Sequence, residues 1–222
     1  MKGFSHAPIT PKATYSPWLD DAEFSRIYKL VRPNTIVDQY RSYELWGLVE
    51  QTIKLPGDIL EVGVWRGGTG CLIAKRAQML GSSATVFLCD TFAGVVKAGE
   101  RDPHYRGGEH ADASAGIVRQ LIADLDLSNA AILEGIFPDD TGSLVAERHF
   151  SLCHIDVDVY ESARDVLEWV WPRLAVGGAI VYDDYGFVSC QGITRLVNER
   201  VGRPGSLTLH NLNGHAVVIK IS

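Results

Sequence analysis

The sequence lacks several features that mark other classes of protein. Its 222 residues include four cysteines, which lie far apart and form no CxxC pair, at Cys71, Cys89, Cys153 and Cys190. This spacing excludes a zinc ribbon and the disulfide framework of a small secreted domain. No apolar run approaches the roughly 18 residues that a membrane span needs, and residues 1–20 contain no apolar segment of the kind found in signal peptides. We therefore expect a protein of the reducing cytoplasm.

Positive charge is also scarce. The chain has 21 Lys and Arg residues against 27 Asp and Glu residues, which gives a formal net charge of −6. This balance disfavours binding to nucleic acid or to an anionic membrane. The expected partners are a small molecule and further copies of the chain in a homo-oligomer. Hydrophobic residues make up 46% and charged residues 22% of the sequence, which suits one large domain with an appendage.

The chain divides into two parts near residue 56. Residues 1–56 are predicted to form a helical N-terminal extension, because four apolar residues share one helix face: Leu45, Leu48, Val49 and Ile53. The extension would pack on the main domain, cover the active site or join subunits. Residues 57–222 alternate short apolar runs with helical stretches, which is typical of an α/β fold with helices on both faces of a mostly parallel sheet. Seven strands are predicted, the last two as an antiparallel hairpin, near 59–64, 84–89, 130–133, 150–155, 179–182, 207–209 and 216–221.

A glycine-rich turn follows the first predicted strand, where residues 61–70 read EVGVWRGGTG. Glycine lets the backbone turn tightly and lets a ligand come close to it, and the helix N-terminus behind the turn suits a carboxylate. Asp90, at the end of the second strand, is placed to accept both hydroxyls of a ribose. Trp65 stands where a dinucleotide fingerprint needs glycine, which disfavours NAD. Glu61 lies inside an apolar strand and needs a polar partner, either a ligand amine or the N–H groups of the turn.

These groups together favour S-adenosylmethionine, which carries an amine, a carboxylate and a ribose, over a structural turn without a ligand. Glu134 and Gly135, after the third strand, are expected near the adenine. The predicted cofactor-binding residues are Glu61, Gly63, Val64, Trp65, Gly67, Gly68, Thr69, Asp90, Thr91, Glu134, Gly135 and Asp156.

Four aspartates follow the fourth and fifth predicted strands, at Asp156, Asp158, Asp183 and Asp184. Carboxylates that converge at one sheet edge repel each other unless they are protonated or bridged by a cation. An all-oxygen ligand set suits Mg²⁺, with Mn²⁺ as an alternative. The competing interpretation is that these acids cap helices and turns, but four of them at two strand ends favour a metal.

A metal at this place would support transfer of a methyl group to oxygen. An alcohol is a weak acid at neutral pH, and a Lewis-acid metal lowers its pKa and orients it. A carboxylate beside the metal then takes the proton. The hypothesis assigns Asp156, Asp183 and Asp184 to the metal and Asp158 to the base.

Residues 94–116 are rich in glycine, charge and histidine and show little apolar periodicity. A long loop just after the second strand is predicted to be a mobile lid over the pocket. His104 and His110 in this loop would contact the substrate or act as alternative bases, unless they are simply solvated. Tyr160 and Tyr185 border the acidic residues and are predicted to line the acceptor site.

The chain resembles the macrocin O-methyltransferase family, metal-dependent enzymes that methylate sugar hydroxyls on natural products such as macrolides and aminocoumarins. The resemblance extends from about Asn34 to the C-terminus and is carried by residues 56–68, 90–92, 154–162, 177–178 and 182–186. It implies a Rossmann-like class I methyltransferase fold that binds S-adenosylmethionine. It also implies Mg²⁺ at Asp156, Asp183 and Asp184 and a base at Asp158, in agreement with the hypothesis above.

Three functions are compatible with the sequence. The leading one is a Mg²⁺-dependent O-methyltransferase that acts on a sugar hydroxyl of a secondary metabolite, as in antibiotic biosynthesis. The second keeps the fold and the metal but takes a catechol-like aromatic acceptor. The third is a cofactor-binding module without catalysis, whose acids cap helices. An oxygenase is disfavoured, because no pair of histidines is expected to join the acids as an iron site requires.

Overall fold

The computed structural model describes residues 4–10 and 12–222, so residues 1–3 and 11 of the predicted N-terminal extension lie outside the described residues. The helices are α1 (Ala22–Val31), α2 (Gln39–Thr52), α3 (Gly68–Met79), α4 (Ala115–Asp124), α5 (Tyr160–Val170) and α6 (Gln191–Asn198). The strands are β1 (Asp58–Val62), β2 (Val86–Asp90), β3 (Ala130–Glu134), β4 (Phe150–Ile155), β5 (Leu174–Tyr182), β6 (Ser206–His210) and β7 (Ala216–Lys220). Short 3₁₀ helices cover Pro17–Leu19, Arg32–Asn34, Gly142–Val145 and Trp171–Arg173.

The strands form one seven-stranded sheet in the order β3-β2-β1-β4-β5-β7-β6, which confirms the predicted α/β fold. Strands β1 to β5 are parallel, and β7 pairs antiparallel with both β5 and β6. Some predicted boundaries are wrong. Strand β1 ends at Val62 because Gly63 leaves the extended conformation with φ +92°, and β5 begins at Leu174, so that Gly177 and Gly178 lie within it.

The strand order reverses between β1 and β4, and the adjacent strand ends are level there. Val62 pairs with Cys89 on one side and with Ile155 on the other, and Ile155 pairs with Tyr182. The residues that follow these positions therefore emerge side by side at one edge of the sheet. Ligands in open α/β sheets bind in the crevice at this kind of reversal.

Two apolar clusters pack on opposite faces of the sheet. Helices α1 to α4 cover one face, and α1 and α2 of the predicted extension belong to the same cluster as α3. Phe24 and Trp46 from these two helices are at most 1% exposed, and each such side chain stabilises the fold by about 1.5–3 kcal/mol. Helices α5 and α6 cover the other face. The extension is thus built into the core that supports the sheet.

The segment predicted to be a lid has no helix or strand as far as Ser114, whose side chain caps α4. Its ends approach each other through a hydrogen bond from the Val95 N–H to the Glu109 carbonyl, at 2.8 Å. Asp102 is buried, and its Oδ1 accepts a hydrogen bond of 2.9 Å from the Tyr160 N–H at the start of α5. The first hydrogen bond closes the loop on itself, and the second attaches it to α5. Among the described residues, no helix has the length and apolar character required to cross a bilayer.

Candidate active site

A cavity opens at the sheet edge where the strand order reverses. Its wall is built from the turn after β1, the ends of β2 and β4, the loop after β3, the predicted lid, and Asn34 to Ile36 before α2. The predicted residues that line it are Gly63, Val64, Trp65, Thr69, Asp90, Thr91, His110, Gly135, Asp156 and Asp158. The cavity thus joins most of the predicted cofactor residues to the first two aspartates.

The glycine turn brings backbone close to backbone at the floor of the cavity. Gly63 donates a hydrogen bond of 2.9 Å to the Cys89 carbonyl, and a Cβ atom at this position would overlap the Asp156 carbonyl oxygen. Gly67 adopts a left-handed conformation, with φ +86°, and is the N-cap of α3. At position 63 the positive φ of +92° and the lack of space for a Cβ atom both require glycine. The turn therefore directs the N-terminus of α3 toward the cavity.

Asp90 is held rigidly at the end of β2. Its Oδ2 accepts from the Trp65 N–H at 2.8 Å and its Oδ1 from the Phe92 N–H at 2.7 Å. Burial raises the pKa of Asp90, although these backbone hydrogen bonds oppose the rise. A carboxylate oxygen accepts more than one hydrogen bond, so both oxygens retain capacity for the two hydroxyls of a ribose.

Glu61 has a protein partner at one oxygen, while Oε2 has no hydrogen-bond partner among the described residues, so contact with a ligand amine stays a prediction. Its Oε1 lies 2.8 Å from Nδ1 of His154, and neither side chain has any exposed surface. Glu61 is outside the set of described residues that line the cavity. The buried pair satisfies one oxygen of the acid within the sheet, as burial of a charge requires.

The acids after β4 and β5 converge as predicted. Asp156, Asp183 and Asp184 each offer an oxygen, and these atoms lie within 4.8 Å of one another. Asp158 and Asp184 form a second group of this kind with the thiol of Cys190. Helix α5 receives its cap from Asp102 and not from the acids before it, which argues against the helix-cap interpretation of Asp156 and Asp158.

The negative charges of the three acids are compensated unevenly by the neighbouring cations, because Asp183 is paired closely with Arg41 and His215 while Asp156 and Asp184 are not. Burial, followed by the charge of Asp183, raises the pKa values of Asp156 and Asp184 well above the usual range. Burial also opposes ionisation of Asp183, but a hydrogen bond with His215 and the positive charges of His215 and Arg41 outweigh it and hold its pKa below the usual range. A group of buried, mutually repelling oxygens beside an open cavity fits a hard divalent cation.

Asp158 lies on the cavity side of the cluster with φ +65°, a conformation that aspartate tolerates better than most residues. The hydroxyl of Tyr105 donates to Asp158 Oδ1 at 2.6 Å, and the Cys190 thiol lies 3.8 Å from the same atom. Burial and the neighbouring Asp158 raise the pKa of Tyr105, so the phenol stays protonated and acts as a donor. The sequence analysis missed Tyr105, although it is the only aromatic residue between positions 94 and 116.

The predicted lid also contacts the glycine turn. Asp112 accepts hydrogen bonds from Trp65 Nε1 at 2.8 Å and from Arg66 Nη2 at 2.7 Å. The Arg66 guanidinium also lies over the Trp65 ring, 4.7 Å from its centre. These contacts place the end of the loop over the turn that would hold the cofactor.

Several predicted residues lie away from the cavity wall. Gly67 and Gly68 shape the turn behind it, and Gly68 is packed too closely against Asn34 for a side chain. Three predicted substrate residues and one predicted cofactor residue also fall outside the described lining: His104, Tyr160, Tyr185 and Glu134. The Tyr160 hydroxyl donates to Glu199 at 2.8 Å and the Tyr185 hydroxyl to Asn198 at 2.7 Å. Contact of these side chains with an acceptor stays a prediction.

One expectation about the acids is wrong, because a pair of histidines does join them. His154 and His215 lie with Asp183 so that one ligand atom from each is within 4.8 Å of the others. Both rings use Nδ1 for a glutamate, at 2.8 Å for the buried Glu61 and 3.0 Å for the half-buried Glu44. Burial alone would lower the pKa of His215, but its hydrogen bonds with Asp183 and Glu44 raise it to about 9. His215 is therefore a cation between two carboxylates.

Comparison with known proteins gives one family and consistent relatives. The family model described as macrocin-O-methyltransferase matches residues 33–201. One relative is the 8-demethyl-8-(2,3-dimethoxy-alpha-L-rhamnosyl)-tetracenomycin-C 4'-O-methyltransferase of Streptomyces olivaceus. It is 30% identical over 76% of this chain and 69% of its own. Mycinamicin III 3''-O-methyltransferase of Micromonospora griseorubida is 28% identical over 76% and 72% of the two chains. The solved structure of the O-methyltransferase NovP superposes with a TM-score of 0.75 at 26% identity, over 85% of this chain and 83% of that one.

Proposed function

Because the chain belongs to the macrocin O-methyltransferase family, we propose that it transfers a methyl group from S-adenosylmethionine to a sugar hydroxyl of a glycosylated natural product, with Mg²⁺ as the metal. The observation that carries this proposal is the position of Asp156 and Asp158. Both line the cavity that contains the glycine turn and Asp90, and both also belong to the acidic groups. One site would therefore combine a cofactor pocket with a group of acids suited to a metal ion. The relatives above act on sugars of natural products, which supports the acceptor class.

The cavity wall offers groups for each part of the cofactor. The N-terminus of α3 suits the carboxylate, and Asp90 offers two oxygens for the ribose. The backbone of Gly135 and the side chain of Phe137 line the cavity beyond Asp90, where a flat adenine ring would fit between the loop after β3 and the predicted lid. With the carboxylate at α3 and the ribose at Asp90, the sulfonium between them would lie in the cavity that Asp156 and Asp158 also line.

Asp156, Asp183 and Asp184 would hold the cation. A bound divalent cation supplies Lewis acidity, which lowers the pKa of an acceptor hydroxyl and fixes its oxygen. Asp158 accepts the proton of that hydroxyl through Oδ2, because its Oδ1 already accepts from Tyr105. Tyr105 thereby orients the carboxylate of the base, and the loop that carries Tyr105 limits the access of water.

The test is methyl transfer from S-adenosylmethionine to a panel of sugar glycosides and catechols, in chelator and after addition of Mg²⁺ or Mn²⁺. We expect transfer to a glycoside only when the metal is present. Asp156→Asn should reduce transfer by at least about 100-fold, comparable to loss of one strong electrostatic contact to the transition state. Asp124→Asn, in the exposed hydrogen bond with Gln120 on α4, is the control and should be fully active.

Each alternative has a distinct outcome in this assay. Transfer that chelator does not affect would refute the metal assignment. Transfer to catechols alone would replace the sugar by an aromatic acceptor. Binding of S-adenosylhomocysteine without transfer to any acceptor would favour the non-catalytic module.

A further inference from the structure

Two side chains from outside the cavity wall contact the carboxylate of Asp183. Arg41 Nη1 lies 2.5 Å and His215 Nε2 lies 3.1 Å from the same oxygen, Oδ1. Arg41 belongs to α2, and His215 immediately precedes β7. The Asp183 side chain is 1% exposed, so both contacts are shielded from water. The shortest contacts of both side chains are with Oδ1, and Asp183 also offers an oxygen within 4.8 Å of those of Asp156 and Asp184.

His215 is itself fixed from the opposite side. Its Nδ1 lies 3.0 Å from Glu44 Oε2, and the ring has no exposed surface. Asn213 donates to the same oxygen of Glu44 at 2.7 Å and also accepts from the His215 N–H at 2.9 Å. Asn211 donates to the other oxygen of Glu44. The turn between β6 and β7 and helix α2 thus hold one glutamate, which holds the histidine.

Arg41 is fixed by its own helix. Its Nε donates at 2.8 Å to Asp38 Oδ2, while Asp38 Oδ1 caps α2 by accepting from the Tyr40 N–H at 2.8 Å. The guanidinium also lies over the Phe187 ring, 5.0 Å from its centre. The guanidinium is therefore held with Nη1 against Asp183, and the same nitrogen lies 3.7 Å from Asp184 Oδ1.

We propose that Arg41 and the Glu44–His215 pair are positioning residues that lock Asp183 through Oδ1 so that Oδ2 faces the cation held with Asp156 and Asp184. The proposal rests on the proposed metal site. An aspartate side chain without such contacts would lose rotamer entropy on binding an ion, and it could coordinate the ion through either one or two oxygens. A carboxylate that is already anchored through one oxygen pays less and offers a single oxygen.

The experiment measures Mn²⁺ affinity by electron paramagnetic resonance and Mg²⁺ affinity by calorimetry. Residues beyond the ligands typically contribute 10–100-fold to metal affinity. We expect Glu44→Gln, which keeps the shape of the side chain but removes its charge, to weaken metal binding about tenfold, and His215→Ala to weaken it more. His215→Gln should restore part of the loss, because its amide Nε2 reaches the position of the imidazole donor.

Controls separate positioning from general damage. Glu50→Gln, on the exposed side of the same helix and paired with Arg76 at 2.6 Å, should bind metal like the wild type. Affinity for S-adenosylhomocysteine should be unchanged in all variants, because Glu44 and His215 are not among the described residues that line the cavity.

The two proposals fail in different ways. If the wild type binds one Mn²⁺ tightly and the Glu44 and His215 variants bind it equally well, the positioning role is refuted while the metal site stands. If all variants lose metal and S-adenosylhomocysteine binding together, the residues support the fold and not the ligand, which also refutes the role. If the wild type binds no ion, the proposed metal site itself is refuted.

Discussion

Without metal, replacing Asp183 by asparagine should lower the melting temperature, whereas replacing the neighbouring Asp184 by asparagine should raise it. Asp184 is half-buried, and burial and the like charges of Asp183 and Asp158 raise its pKa although Arg41 Nη1 lies 3.7 Å from its Oδ1, whereas the pKa of Asp183 is lowered by its cationic partners. Without metal, a neutral amide at position 184 removes repulsion, and asparagine tolerates its left-handed backbone, with φ +61°. A neutral amide at position 183 leaves Arg41 and His215 without their shared anion.

The expected magnitudes differ in sign and size. Breaking a buried ion pair on one side costs about 3–5 kcal/mol. In a chain of this length each kcal/mol shifts the melting temperature by about 2–4 °C. Asp183→Asn should therefore lower the melting temperature by about 6 °C or more. Asp184→Asn should raise it in chelator by about 2 °C or more, for a relief of about 1 kcal/mol.

Metal should reverse the order at position 184. A ligand at 100 times its dissociation constant stabilises the folded state by about 2.7 kcal/mol, or about 5–10 °C here. The wild type should gain this amount on addition of Mg²⁺, while Asp184→Asn gains little. The wild type then becomes the more stable protein, although it is the less stable one in chelator.

The pH dependence gives an independent check. A group whose pKa is raised in the folded state contributes stability that is present at low pH and lost as pH rises through the folded pKa. In chelator, the wild type should therefore lose stability relative to Asp184→Asn as the pH increases from 4 to 8. The assay is differential scanning calorimetry of the three proteins in chelator and in Mg²⁺. A lower melting temperature for Asp184→Asn in chelator, or equal losses in both variants, would refute the electrostatic reasoning.

Three further predictions concern the cavity. Asp158→Asn should reduce kcat by about 100- to 10,000-fold, as for loss of a general base, and should retain Mn²⁺ affinity. A kcat above a tenth of the wild-type value would refute the assignment of Asp158 as the base. Tyr105→Phe loses one hydrogen bond to a charged group, worth about 1.5–3 kcal/mol, and should lower kcat about tenfold or more with unchanged affinity for S-adenosylhomocysteine; a change confined to KM would mean that Tyr105 binds substrate instead. Gly63→Ala should abolish S-adenosylhomocysteine binding in calorimetry, because the added Cβ overlaps the Asp156 carbonyl, whereas Gly99→Ala, which has open space around it, should bind normally.

Local patterns predicted the sheet and its edge well, for a physical reason. A run of about five mostly apolar residues predicts a buried strand, and the first charged residue after the run predicts its end. Asp156 after β4 and Asp183 after β5 are examples. Parallel pairing then brings such ends together without further information. The strand start was less predictable: β5 begins five residues before Ala179 because its first residues pair with β4 across a register shift, and glycine there resembles a turn.

The partners of the acids were not predictable from local patterns, because they are distant in the chain. Glu61 contacts His154 across 93 residues, and both lie inside buried, mostly apolar strands. Tyr105 contacts Asp158 across 53 residues, from a loop whose composition indicates only solvent exposure.

The contacts of Asp183 extend this reasoning to the whole chain. Arg41 lies 142 residues before it, and Glu44 reaches His215 across 171 residues. Periodicity places Arg41 and Glu44 three positions apart on one helix, on neighbouring turns of the same face, but it cannot say what that face meets. The answer comes from the sheet order: β7 inserts between β5 and β6, which brings the residue before β7 next to the residue after β5. Antiparallel addition of the C-terminal hairpin therefore does more than extend the sheet, because it carries His215 to the acid cluster while α2 carries Arg41 and Glu44 to it from the other side. We infer that α2 and the C-terminal hairpin act together on one carboxylate, so substitutions at Arg41 or His215 should alter Asp183 even where the sheet itself is preserved.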